Sequence, residues 1–250
     1  MTRRRHLLLA LPLAALGPAA DLRAAEPVVA IVSLAADQLT VTGFESTTGS
    51  KLDHNPQQRV PLAGSDLEKS LLRAGLRAVA EARAGKAVPL LLSDPGLYRA
   101  QDRLLDGGSV ALPASLIATL QAQKATRLLL VTKHRAEARM KGAEIELGSG
   151  RVEGLGFYVD RVTPLRREGT SEIGIGYIAP HVYVRLSLVD VADGRVLGTR
   201  LVTASRVFIA SSTDRGADPW DLLDGRAKLQ ALNDLIDANC VPEMRALLSS

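Results

Sequence analysis

Three short apolar runs separated by helical patterns restrict this chain more than any other feature. Val28–Leu34 clusters β-branched residues, Val88–Leu92 is an unbroken apolar run, and Leu128-Leu129-Leu130-Val131 is a third. Such runs are strand-sized, and a strand buried on both faces reads as continuous rather than alternating. Between the first two, Leu67, Leu71, Leu72, Leu76, Val79 and Ala82 form a stripe at helical spacing. Ahead of it, Ser65-Asp66-Leu67-Glu68 has the capping-box pattern, in which the serine satisfies one helix N–H and Glu68 reaches back to another. A helix is therefore expected from Asp66, with Gly85 as its left-handed terminus. Pro113 opens a second helical pattern carrying Leu116, Ile117 and Leu120. Strand, helix, strand, helix, strand favours a parallel sheet with right-handed crossovers. Gln38–Phe44 adds a short strand, and residues 45–63 have the composition of a loop.

After His134 the pattern changes. Val182, Val184, Leu186 and Leu188 alternate with Tyr183, Arg185 and Ser187, and Asp193-Gly194 supplies a turn before Val196–Phe208, so residues 182–208 read as a hairpin. Upstream, Gly154-Leu155-Gly156-Phe157-Tyr158 is echoed by Gly174-Ile175-Gly176-Tyr177-Ile178, and four of the seven Phe and Tyr residues lie between 157 and 183. One reading is two adjacent strands with aromatics packed across them. The other is a protruding hairpin insertion near 150–181 that offers Phe157, Tyr158, Tyr177 and Arg161 to a partner. Residues 226–247 set Leu229, Leu232, Ile236 and Cys240 on one helical face, with Pro242 forcing a kink or a restart. Cys240 on that stripe reads as a small core residue. The expected fold is α/β with an α+β tendency, a three-layer, mixed-sheet domain spanning 26–250. It has a βαβαβ start, a long antiparallel hairpin and a closing C-terminal helix.

These elements, with the hairpin reading Leu188-Val189-Asp190-Val191-Ala192-Asp193-Gly194-Arg195-Val196-Leu197, resemble a periplasmic domain. It is the α/β domain shared by the curli-secretion lipoprotein and the penicillin-binding-protein activator lipoproteins. The resemblance covers residues 28–44, 66–134 and 182–248 and implies a non-catalytic domain that docks on envelope proteins. Those relatives carry a lipidated cysteine; here Cys240 is the single cysteine, far from the export signal.

Residues 1–25 have the order of such a signal: Arg3-Arg4-Arg5, an apolar Leu7–Leu16, then small residues ending at Ala24-Ala25. Ten apolar residues are fewer than the roughly 20 that span a bilayer. An ordinary cationic start for the general secretory route is favoured over a twin-arginine signal, and both lead to the periplasm. Setting aside that segment's four arginines and one aspartate leaves 27 basic against 26 acidic residues, so no excess charge favours nucleic acid. Aromatics at 3% leave little for base stacking. No later apolar run reaches transmembrane length, and the oligomeric state is open.

In open α/β sheets ligands gather beyond the carboxyl ends of the parallel strands. The side chains expected there are Ser33 and Asp37, Ser93 and Asp94, and Lys133 and His134. Ser33 or Ser93 with His134 and Asp94 would assemble an exported Ser/His hydrolase. No Gly-x-Ser-x-Gly elbow is present, Gly107-Gly108-Ser109 lacks the rest of a phosphate loop, and His54, His134 and His181 are isolated, so neither cofactor nor metal is called for. The leading expectation is a non-catalytic protein that binds an envelope protein, with the hydrolase as the alternative.

Overall fold

The computed structural model describes residues 26–45, 55–61, 66–92, 94–106, 108–142, 145–166, 169, 171–210 and 218–250. β1 (Val28–Ser33), β2 (Gln38–Gly43) and β3 (Gln57–Pro61) precede helix α1 (Asp66–Ala82). β4 (Lys86–Leu90), α2 (Pro95–Leu104), a small ladder of β5 (Leu105–Asp106) and β6 (Ser109–Val110), α3 (Ala114–Ala122) and β7 (Arg127–Lys133) follow. Short strands β8 (Arg135–Glu137), β9 (Met140–Lys141) and β10 (Glu146–Leu147) lead into β11 (Arg151–Arg166) and β12 (Ile173–Asp190). β13 (Val196–Ser205), β14 (Phe208–Ile209), a 3-10 turn (Pro219–Leu222), α4 (Gly225–Leu235), a π turn (Ile236–Cys240) and α5 (Val241–Leu248) complete the chain.

One mixed sheet of ten strands runs β3-β2-β11-β12-β7-β1-β4, with β13 and β14 on the free edge of β12 and β8 on β11. The 18-residue β12 joins its two halves. Residues Ile173–Tyr183 pair with β11 and Val184–Asp190 with β7, along the same edge of β12. β7 and β11 therefore run end to end. His134 donates its N–H to the Tyr183 carbonyl at 3.0 Å and accepts from the Gly154 N–H at 3.4 Å. β1 and β2 are in line in the same way, through Leu34–Asp37. One half-sheet is β4-β1-β7, parallel throughout; in the other, β2 runs parallel to β11 and antiparallel to β3.

Alternation sends successive side chains to opposite faces. On one face Val29, Ile31, Leu129 and Val131 pack with Leu67 and Leu71 of α1, Leu232 of α4 and Met244 of α5. On the other, Ala30, Val32, Leu128 and Leu130 meet Leu97 of α2 and Leu116 and Leu120 of α3. Burial on both faces is why β1 and β7 read as continuous apolar runs. Over the second half-sheet that other face is covered by the 135–153 excursion, whose Ala138, Met140 and Val152 pack on Tyr158, Tyr177 and Tyr183. The three layers, the hairpin and the closing helix match the expected α/β fold.

Several local expectations change. The second parallel strand is Lys86–Leu90 rather than Val88–Leu92, and it is a half-exposed edge strand, which is where Pro89 is tolerated. Arg83, at φ 52°, is the left-handed residue that ends α1, with Ala84 N–H reaching the Val79 carbonyl at 3.1 Å; Gly85 follows at φ 114°. Asp94-Pro95 opens α2, a helix that the apolar pattern did not predict. Residues 57–61, assigned to a loop, form β3. The 150–181 segment is no insertion: β11 and β12 are central strands. Pro242 lacks the N–H that a continuous helix needs, and the π turn immediately before it absorbs the defect. Cys240 is fully buried, and burial with nearby Asp237 pushes its thiol up to about 12, as a core residue requires.

Candidate functional site

The chain crosses from β1 through α1 to β4, then back through α2 and α3 to β7 on the other side of β1. That reversal makes the carboxyl ends of β1 and β7 the topological switch point of the parallel half. Ser33, Asp37 and Lys133 meet there, as expected, joined by Glu68 from α1 and by Tyr98 and Gln101 from α2. Lys133 Nζ lies 2.6 Å from Asp37 Oδ1, with the two side chains 10% and 30% exposed. Gln101 Oε1 accepts from the Lys133 N–H and its Nε2 donates to the Tyr98 carbonyl, both at 2.7 Å, tying the end of β7 to α2. The Tyr98 hydroxyl donates to the Leu92 carbonyl at 3.1 Å. Ser33, fully buried, accepts from the Ala35 N–H at 3.3 Å.

Glu68 does not cap its helix. Its residue is 3% exposed, and neither carboxyl oxygen completes a hydrogen bond. Burial pushes its pKa up to about 7, against the opposing pull of the Ser33 hydroxyl, the Ala36 amide and Tyr98, with Asp37 adding to the rise. This acid was not singled out in the sequence because the Ser65–Glu68 pattern assigned it to a cap; Ser65 lies outside the described residues.

The hydrolase constellation is not brought together. Ser33 projects with Val29 and Ile31 toward α1, whereas His134, two residues beyond Thr132, projects from the opposite face near Arg185. Burial first, then the Arg185 charge, lowers the His134 pKa. The Asp94 carboxylate accepts the Gly96 N–H at 2.8 Å as the α2 cap. Ser93 lies outside the described residues. Among the described residues, no three His, Cys, Asp and Glu side chains converge on a common point. Nor is any helix there long and apolar enough to cross a membrane.

The aromatic candidates are inside rather than displayed. Phe157 is buried on the helical face, edge-on to Trp220 at 5.5 Å between centroids. Tyr158 and Tyr177 are fully buried on the other face and stacked at 6.1 Å. The Tyr158 hydroxyl accepts from the Ser149 N–H at 3.0 Å. The reason is the 135–153 excursion, which covers the face that these rings occupy. Gly176, at φ 83°, lets β12 approach β11 where a Cβ would stand 2.5 Å from the Asp160 carbonyl. Arg161 is half-exposed, but its guanidinium is engaged by Asp218 Oδ2 at 2.9 and 3.1 Å. Burial pushes the Asp218 pKa up, and the Trp220 amide and Arg161 outweigh it to give a net lowering.

What the β11–β12 hairpin does display is aliphatic. Val162, Ile173 and Ile175 are 54%, 57% and 62% exposed. Ile175 lies opposite Pro164 and Ile173 opposite Arg166. The buried Asp160 carboxylate builds the base of this tip, accepting from the Val162 and Thr163 N–H groups at 2.8 Å each and from the Thr163 hydroxyl at 2.6 Å. A register shift between Asp160 and Pro164 marks the same place. The signal in the sequence was the Ile173-Gly174-Ile175-Gly176 alternation, overshadowed by the neighbouring rings.

No family model matches the chain, and no curated protein matches its sequence. Among solved structures, the PelC dodecamer from Paraburkholderia phytofirmans aligns with a TM-score of 0.36 at 10% identity, covering 90% of this chain and 89% of that one. A homolog of a neuraminyllactose-binding hemagglutinin from Helicobacter pylori gives 0.42 at 9%, covering 89% and 86%. A DUF330 protein from Xanthomonas campestris gives 0.35 at 12%, covering 90% and 86%. None of these three is of the curli-secretion or penicillin-binding-protein activator type. All the scores lie below 0.5, so the site stands on this chain's own geometry.

Proposed function

We propose that this is an exported, non-catalytic protein that docks on a protein of the cell envelope through the tip of its β11–β12 hairpin. The observation that carries the reading is the tip itself: three branched aliphatic side chains more than half exposed, on a base fixed by Asp160. Clustered exposed aliphatics on a rigid element supply desolvated contact at little cost in conformational entropy. The export order of residues 1–25 and the resemblance of the hairpin and closing helix to periplasmic docking domains support the compartment and the class of partner. The separation of Ser33 from His134 by the sheet speaks against the hydrolase. Site-specific photocrosslinking in intact cells tests the reading. A crosslinker at position 173 or 175 is expected to give a discrete adduct with an envelope protein, and one at the exposed Leu229 is not. Adducts from 229 alone, or from none of the three, would overturn it.

A further inference from the structure

The edge of β13 that faces away from β12 is laid out for another strand. The Tyr183 carbonyl of β12 points to the β7 side, where it accepts the His134 N–H at 3.0 Å, and the Pro180 carbonyl points to the other side, where it accepts the Arg206 N–H at 3.2 Å. Alternation therefore aims the backbone groups of Val182 and Val184 at β13, where their register partners are Ala204 and Val202. Thr199, Leu201 and Thr203 consequently direct their N–H and C=O groups to the open side, and no described residue takes them. Their side chains share one face of the strand and are exposed, Leu201 at 52%. Arg200 turns to the other face and pairs with Glu243 of α5 at 3.9 Å.

The column beside β13 is begun and then left open. At the turn end β6 occupies it: Val196 donates its N–H to the Gly108 carbonyl at 2.9 Å, the Gly194 carbonyl accepts the Val110 N–H at 2.8 Å, and Ser109 is bridged antiparallel to Arg195. At the other end the excursion is tied to Ser205, whose hydroxyl accepts the Lys141 N–H at 2.8 Å. β3 and β4, also at edges of the sheet, carry Pro61 and Pro89, which interrupt a ladder, whereas β13 has neither proline nor lysine. β6 also limits what enters the column. A second copy aligned antiparallel on Leu201 would bring its residues 206–209 onto Gly108–Val110, so a short extended segment fits there and another copy of this chain does not.

We infer that β13 takes an extended segment of a partner protein as an added antiparallel strand opposite Thr199–Thr203. Thr199, Leu201 and Thr203 each exchange a pair of backbone hydrogen bonds with it, which supplies affinity, and the side chains on their exposed face select its sequence. Branched aliphatics or threonine at alternate positions pack on Leu201 and its flanking threonines. Arg185, the register partner of Leu201 on the same face, favours an acidic over a basic residue in the segment. The edge is on a different strand from the β11–β12 tip, and the inference does not rest on docking there.

Amide hydrogen exchange read residue by residue tests it, with a terminally blocked peptide of alternating valine and threonine and one aspartate as the probe. At about 1 mM peptide the amides of Thr199, Leu201 and Thr203 are expected to exchange roughly tenfold more slowly, while those of Arg200 and Val202, already turned to β12, stay unchanged. The fully N-methylated peptide, which has no N–H to donate, is expected to slow none of them. Leu201→Pro removes only an outward N–H and is expected to keep the fold and abolish the slowing at 199 and 203. Should it fail to fold, Leu201→Lys at the same exposed position takes its place. Absence of slowing at 199, 201 and 203, equal slowing at 200 and 202, or slowing by the N-methylated peptide would overturn the added strand. Protection of the same three amides that rises with protein concentration without peptide would place a second copy on the edge and overturn the choice of occupant.

Discussion

The two ends of strand β12 obey one alternation and meet opposite fates. At its carboxyl end Val184, Leu186 and Leu188 face the helical layer and Val189 faces α2 and α3, so the strand is buried on both sides. At its amino end Ile173 and Ile175 stand in solvent, while Tyr177, two residues on, is sealed beneath the excursion. A strand's own pattern states which residues share a face; what lies over that face decides whether they form a core or a surface. Here the cover over Tyr177 includes Ala138, Met140 and Val152, and Ile173 and Ile175 stay exposed.

The largest expected effect tests the covered part. Tyr177→Ala removes a buried, stacked ring and is expected to cost about 3–5 kcal/mol in denaturant melts. A loss under about 1 kcal/mol would mean that the ring is not under cover and that the contrast between core and tip is wrong. Next comes the pH dependence of Glu68. Its carboxyl keeps its proton in the fold up to about pH 7 but loses it in the unfolded chain in the ordinary carboxylate range, so it is expected to withdraw on the order of 3 kcal/mol of stability between pH 4 and pH 8. Glu68→Gln should remove that slope, as read from denaturation midpoints across pH. Smaller still is the α2 cap: Asp94→Ala is expected to cost about 1 kcal/mol and nothing more. A larger loss, or a loss of function without a loss of stability, would return Asp94 to the site.

The parallel half was legible because burial on two faces leaves a signature that needs no knowledge of the rest of the chain. Val28–Val32 and Leu128–Val131 are apolar at every position, and helical stripes separate them. The edge strand around Pro89 was less legible, since an apolar run does not announce that one side is open. Ser33, Asp37 and Lys133 were placed together by strand order alone. Glu68 was not, because its three-residue spacing from Ser65 reads as a cap, and only the fold shows that its carboxyl is buried instead. For the aromatics the sequence left two readings open, adjacent strands with packed rings and a displayed hairpin, and the structure shows the first; nothing in the weak pattern of the stretch before β11 signals that it covers Tyr158 and Tyr177. Their aliphatic neighbours, Ile173 and Ile175, were passed over for the same reason.

The smallest expected change in stability bears most directly on where the molecule docks. Ile173→Ser with Ile175→Ser alters exposed side chains and is expected to shift stability by no more than about 0.5 kcal/mol. His134→Ala, on the far side of the sheet from Ser33, is the matched control for the enzyme reading. The decisive measurement is the yield of the envelope-protein adduct from wild type, from the double isoleucine variant and from His134→Ala, using a crosslinker at the exposed position 162 in cells that hold equal amounts of folded protein. The adduct is expected to disappear in the double variant and to persist in His134→Ala. An adduct undiminished in the double variant, with a cellular phenotype lost in His134→Ala, would contradict docking through the tip.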